Sequence, residues 1–326
     1  MPNTPAADAP GALDPAAPPT ASPNPVPPAT PPPANPVRIT TPLAGAPAIG
    51  LRRVDVGAKV SDRFVMPSGY AEVGGELAFV TSGAIVTPSK VAFGDMALFR
   101  PSARRSFGDE LELSLGTTWL AKEPSGEHAW IWQGASVGAV YEPAPGGAVV
   151  LDAAGGPLLH GQGSFWSAAP GLSRKWALDG DTRAVLSLSD DFTALDRRGE
   201  LGARAWLDEL VLGGEVELGH RDFAFWVGAD YGVPVAKHGE QPLLPGVPLR
   251  PTTRLDLQVG SVLRVGRHES WDLFAYYAWI DRGEANRPST LLPIVDGGFD
   301  QQQVVLGVRH RFEPPGGGVM VPEEEP

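Results

Sequence analysis

The sequence predicts an all-β fold, an antiparallel up-and-down transmembrane barrel of about 12 strands. Two observations carry the prediction. From Leu111 to Trp119 the chain reads Leu-Glu-Leu-Ser-Leu-Gly-Thr-Thr-Trp, and the same alternation returns in segment after segment as far as Phe312. Side chains two apart in a strand share a face, so each segment is apolar on one side and polar on the other. The second observation is what separates the segments. Clusters such as Pro143-Ala144-Pro145-Gly146-Gly147 and Asp179-Gly180-Asp181 are turn chemistry, and no long amphipathic stretch intervenes. A doubly wound α/β domain is excluded on that ground.

Taken in order, Glu76–Thr81 puts Leu77 and Phe79 on one face, and Phe93–Phe99 is a weaker strand interrupted by Asp95. Leu111–Trp119 follows, then a long Gly-rich strand over His128–Tyr141. Shorter strands are expected at Leu158–Trp166, Ala184–Ser189 and Leu201–Trp206. Leu210–Leu218 sets Leu210, Leu212, Val216 and Leu218 against Val211, Glu215 and Glu217, and Phe223–Tyr231 alternates the same way. Leu255–Val265 opposes Leu255, Leu257 and Val259 to Arg254, Asp256, Gln258 and Arg264. Trp271–Trp279 is aromatic throughout, and Gln303–Phe312 closes the domain. Two longer excursions, Lys237–Pro251 and Arg282–Gly298, are read as loops.

Alternation alone fits both a membrane barrel and a soluble β-sandwich, because the apolar face can meet lipid or a second sheet. Three features favour lipid. Several segments run for about ten residues, the length a tilted strand needs to cross the hydrocarbon. Aromatics fall near strand ends, at Trp119, Trp130, Tyr141, Trp166, Trp206, Tyr231, Trp271 and Trp279, where an interfacial girdle needs them. The polar faces carry full charges at Glu112, Glu215, Glu217, Arg254, Asp256 and Arg264, which a wet lumen tolerates.

Composition narrows the function classes. A net charge of -12 excludes the basic surface that nucleic acids require. With no cysteine there are no disulfides and no thiolate metal sites. No apolar run approaches the roughly 20 residues of a membrane helix, so any spanning structure is a barrel. Residues 1–50 are rich in Pro and Ala and read as a disordered spacer, residues 51–312 as the barrel, and 313–326 as a disordered acidic tail. Met1 leads straight into Pro2-Asn3-Thr4-Pro5, so no secretory signal is visible at this end. Removal of a signal, a start assigned too late, or a protein that is not exported would each account for it.

The hairpin spacing, the placement of Gly and aromatics, and the last strand, Val304-Val305-Leu306-Gly307-Val308-Arg309-His310-Arg311-Phe312, resemble the outer-membrane β-barrel proteins of Gram-negative bacteria. That resemblance implies an outer-membrane location, lipid as a partner, and recognition of the strand ending at Phe312 by the barrel-assembly machinery. An even strand number then puts both termini on the periplasmic side, where the Pro-rich arm could meet a periplasmic partner. The tail after Phe312 departs from the family pattern.

Chemistry-bearing motifs are sparse. Gly134-Ala135-Ser136-Val137-Gly138 matches the nucleophile elbow, but that motif acts only at a strand-to-helix turn, and here β-patterned sequence surrounds it. Nothing in the sequence ties Ser136 or Ser164 to one of the scattered histidines (His128, His160, His220, His238, His268, His310), which also lack metal-site spacing. Asp179 and Asp181 suit a turn better than a calcium site. No cofactor is implied. The expected activity is a narrow passive pore for small solutes or ions, with the six charges above setting its preference. The alternatives are a non-conducting interaction scaffold, a barrel-borne Ser hydrolase and a soluble β-sandwich binding module.

Overall fold

The computed structural model describes residues 59, 61–81, 96–122, 130–157, 163–197, 204–220, 222–241, 244–248, 253–266, 270–281 and 300–314. The Pro-rich stretch 1–50, nearly all of the tail, and the loop expected over Arg282–Gly298 lie outside them.

Among the described residues fourteen strands run in chain order: β1 Ala71–Thr81, β2 Met96–Phe107, β3 Leu111–Lys122, β4 Ile131–Ala144, β5 Gly147–Pro157, β6 Gly163–Ala177, β7 Thr182–Arg197, β8 Ala205–His220, β9 Phe223–His238, β10 Glu240–Gln241, β11 Leu244–Pro248, β12 Arg254–Val265, β13 Trp271–Asp281 and β14 Asp300–Phe312. Twelve of them form one closed antiparallel barrel, and β10 and β11 form a small separate hairpin. Each barrel strand pairs with the next in sequence. β9 pairs with β12, and the ring closes where β1 meets β14, from Ala71 opposite Phe312 to Thr81 opposite Gln302. Closure leaves no sheet edge unpaired, which a barrel in hydrocarbon requires.

Short turns join β2–β3, β4–β5, β6–β7, β8–β9 and β12–β13 at one end of the barrel, where β1 begins and β14 stops. The long connections lie at the other. In the β4–β5 turn Gly146 has φ +73°, and a Cβ there would lie 2.6 Å from the Lys175 carbonyl, so only glycine fits. In the β6–β7 turn the Thr182 side chain, then the backbone N–H groups of Asp181 and Thr182, hold the Asp179 carboxyl below its ordinary range.

Three strand assignments need correction. Gly147–Pro157 is a full strand, β5, where the sequence suggested only the end of a turn. Its inward positions include Ala148, Ala154 and Gly156, so it lacks the bulky contrast between faces that marks its neighbours. The segments Leu201–Trp206 and Leu210–Leu218 are not two strands: β8 is continuous through Asp208 and Glu209, with a bulge there. The strand expected over Leu158–Trp166 begins at Gly163 and continues to Ala177. The missed strand and the divided one offset each other, so the count of twelve stands.

Leu255, Leu257 and Val259 face out of the barrel and are not sealed between two layers, which rules out the sandwich. They belong to a belt of outward apolar side chains that includes Leu115, Val137, Leu151, Leu172, Leu212, Val227 and Leu306, all roughly half exposed. Such a belt is costly in water and favourable in lipid. Aromatics border it on both sides. At the short-turn end stand Phe107, Tyr141, Trp176, Phe223, Trp271 and Phe312. At the loop end Trp166, Phe192, Trp206 and His238 form a ladder across β6 to β9, with ring centroids 4.8, 5.8 and 6.1 Å apart.

Candidate functional site: the lumen and its plug

The inward face of a barrel strand is set by the same alternation that sets the belt, so every second residue enters the lumen. The structure places Glu112, Glu215, Glu217, Arg254, Asp256 and Arg264 there. Of the eight aromatics named from sequence, Trp119, Trp166, Trp206, Trp271 and Trp279 lie near strand ends. Trp130 immediately precedes β4, edge-on to Phe99 at 6.0 Å. Tyr141 sits at the short-turn end, whereas Tyr231 falls mid-strand because β9 continues to His238.

The lumen is not an open tube. Lys59 and residues 61–70, just before β1, fold into its short-turn end and cross it from the β8 wall to β1. Lys59, 6 % exposed, pairs with Glu215 and lies 3.2 Å from Glu217, its ammonium 5.2 Å above the Trp226 ring. Lys175 on β6 holds the next step, 3.0 Å from Glu217 and donating to the Ser61 carbonyl at 3.2 Å. Arg183 on β7 meets Asp62 at 2.6 Å. Glu142 on β4 accepts the backbone N–H groups of Phe64 and Val65 at 2.9 and 3.0 Å, and that of Gly146 at 2.7 Å. Glu112 accepts Met66 N–H at 3.1 Å, and Asp109 accepts Ser68 N–H at 3.0 Å. Buried backbone outside any ladder needs such acceptors, and the wall supplies them as carboxylates.

The ring continues beyond the plug. Arg104 grips both oxygens of Glu72 at 2.9 and 3.0 Å and reaches Glu112 at 3.1 Å. Asp272 accepts from Arg264 at 3.0 Å and Arg311 at 3.1 Å. Carboxylate and cation therefore alternate around the short-turn mouth. Buried charges persist only when matched in this way.

Further in, one wall is apolar. Ala78, Val80, Leu98, Leu120, Trp226, Val262, Phe274 and Val305 form a buried cluster inside the barrel. At the loop end of β12, Arg254 is fully buried, with Asp191, Glu209 and Asp256 at 3.0–3.1 Å. Beside the plug, and lined by its Lys59 and Phe64, lies a cavity of about 150 Å³, faced also by Ser102, Ser114, Ser173, Ser187, Asp152 and Asp230.

Sequence reasoning missed the plug, and with it Lys59, Glu72, Arg104, Glu142, Lys175 and Arg183. Residues 59–70 have no alternation to mark them, and a segment folded into a lumen looks like any loop. The charged inward positions of β2, β6 and β7 were the available signal. The elbow motif is not formed: Gly134–Gly138 lies within β4, whose next partner is the strand β5. Among the described residues no group of His, Cys, Asp or Glu could hold a metal ion.

No family model matches the sequence, and no curated protein matches it. Solved structures that are similar include a KdgM porin in complex with disordered oligogalacturonate, at 11% identity and TM-score 0.45, covering 74% of this chain and 99% of that one. An outer membrane channel from Pseudomonas putida F1 gives 11% identity and TM-score 0.47, covering 76% and 97%. The translocator domain of the autotransporter NalP from Neisseria meningitidis gives 12% and 0.45, covering 79% and 93%. At these identities and scores the likenesses say nothing of what this chain conducts or binds. What the chain itself displays is a closed twelve-strand antiparallel barrel with the stretch just before β1 seated in its lumen.

Proposed function

We propose that the protein is an outer-membrane barrel acting as a narrow passive pore that its own Lys59 and residues 61–70 hold shut at rest. The plug carries this reading: an acceptor-lined wall binds a separate stretch of chain across the mouth, leaving a cavity of about 150 Å³. The lipid-facing belt and the two aromatic rows support the membrane placement, with the short-turn end at the periplasm. With the plug withdrawn, Glu112, Glu215, Glu217, Arg254, Asp256 and Arg264 line the path and bias it among small solutes and ions. The rows containing Trp119, Trp166, Trp206, Trp271 and Trp279 anchor the barrel at the two interfaces.

Conductance in planar bilayers tests this. The full chain should open rarely, and Glu142→Ala, which removes the acceptor for Phe64, Val65 and Gly146, should open more often. Reversing both Glu215 and Glu217 to Lys in the Glu142→Ala background should shift selectivity toward anions. A folded Glu142→Ala protein, identified by heat-modifiable migration, that never conducts would make the barrel a scaffold.

A further inference from the structure

The cavity beside the plug has a lining that closing the pore does not require. Two stretches of its wall repeat one arrangement. Ser114, Gly138 and Asp152 stand in register across β3, β4 and β5, and Ser187, Gly213 and Asp230 stand in register across β7, β8 and β9. All six border the cavity. In each row the hydroxyl and the carboxylate lean over the glycine. A Cβ at Gly138 would lie 2.5 Å from Ser114 Oγ and 2.7 Å from Asp152 Oδ1, and one at Gly213 would collide with Ser187 Oγ and Asp230 Oδ1. Glycine weakens a strand interior and marks places where another group must come close. Here it lets a hydroxyl and a carboxylate converge.

Between the two rows β6 contributes Ser173, directly opposite Ser187. Ser173 is 7 % exposed, and its Oγ has no hydrogen-bond partner. Neither has Oε1 of Gln258, which also borders the cavity. A buried polar atom left without a partner is costly, and a guest that supplies the missing bonds removes that penalty. The charged groups around the cavity, by contrast, are matched. Lys59 pairs with Glu215 and Glu217, Lys175 with Glu217, and Arg104 with Glu72 and Glu112. Asp152 and Asp230 have contacts of their own. An ionic guest would have to break into these pairs, whereas a carboxylate that keeps its partner still has lone pairs for a neutral hydroxyl. Size agrees. An apolar cavity of about this volume admits a benzene ring, and this one offers hydroxyls and carboxylates instead of carbon. Phe64 and Val185 leave an apolar patch for the carbon face of a ring.

We infer that the cavity is a binding site for a neutral polyhydroxylated solute the size of one sugar ring, its adjacent hydroxyls bonded by the two Ser–Gly–Asp rows and by Ser173 and Gln258. The inference rests on the pore reading for the role of the site, and names the class of solute that pauses on the path.

Glucose, glucuronate and glucosamine share one ring and differ in charge. By saturation-transfer NMR on the full chain in detergent micelles, glucose should bind saturably with Kd on the order of 1 mM. Glucuronate should bind at least about tenfold more weakly. Ser173→Ala with Ser187→Ala should weaken glucose at least about fivefold while heat-modifiable migration stays unchanged. Absence of glucose binding, glucuronate or glucosamine binding at least as tightly as glucose, or an unchanged affinity in the double variant would each overturn the inference. Conductance reads the pore separately. If Glu142→Ala conducts and glucose does not bind, the pore stands and the solute site falls. If folded Glu142→Ala is silent and glucose still binds, the pore falls and the site remains as a pocket in a closed barrel.

Discussion

Arg254 has no access to solvent and three carboxylates within 3.1 Å. Replacing it with Met would strand those charges, and removing one partner of a buried ion pair typically costs about 3–5 kcal/mol. Urea unfolding of the barrel in lipid vesicles should show Arg254→Met losing about that much stability. Arg204→Met should leave the midpoint unchanged, because its contact with Asp196 is exposed. Alternation made Arg254 and Asp256 legible as inward residues. It could not show that Asp191 and Glu209, on β7 and β8, converge on the same guanidinium, because the lumen brings together strands distant in sequence.

Among the elements, β14 depends on a glycine. Phe274 on β13 lies across Gly307, where an added Cβ would stand 2.0 Å from the ring, and the Arg309 guanidinium sits 4.9 Å over that ring. The ring has nowhere to go, since it forms part of the buried cluster with Val305 and Tyr276. Gly307→Ala should therefore destabilise the barrel by about 1–3 kcal/mol, the usual cost of overpacking. Gly214→Ala, with open space around its Cβ, should be close to neutral in the same unfolding assay. Strands with large outward and polar inward residues, such as β12 and the second half of β8, were readable from periodicity. β5 was not, because small inward residues such as Ala148, Ala154 and Gly156 blunted its pattern, and the adjacent charges Asp208 and Glu209 disguised β8 as two strands.

For the whole molecule, the decisive quantity is which solvent the belt meets. Leu212 lies in the middle of β8 facing outward. Leu212→Arg should cost about 2–4 kcal/mol for folding into vesicles, as charge at the bilayer midplane does, while Val235→Arg toward the loop end should cost about 0–1 kcal/mol. Equal, small effects at both positions would mean that no bilayer surrounds the barrel.

The order of residues alone determined the two-faced strands and their antiparallel succession, because each follows from a two-residue period and local turn chemistry; that the apolar side faces out of a barrel and not into a sandwich was decided by the closed sheet. Whether the interior was open was settled only in three dimensions. Glu112 and Glu142 lie on the paired strands β3 and β4, Glu215 and Glu217 on β8 about 70 residues later, and closing the sheet aims all four at Lys59 and residues 61–70. Only that convergence turns scattered glutamates into a seat for a plug.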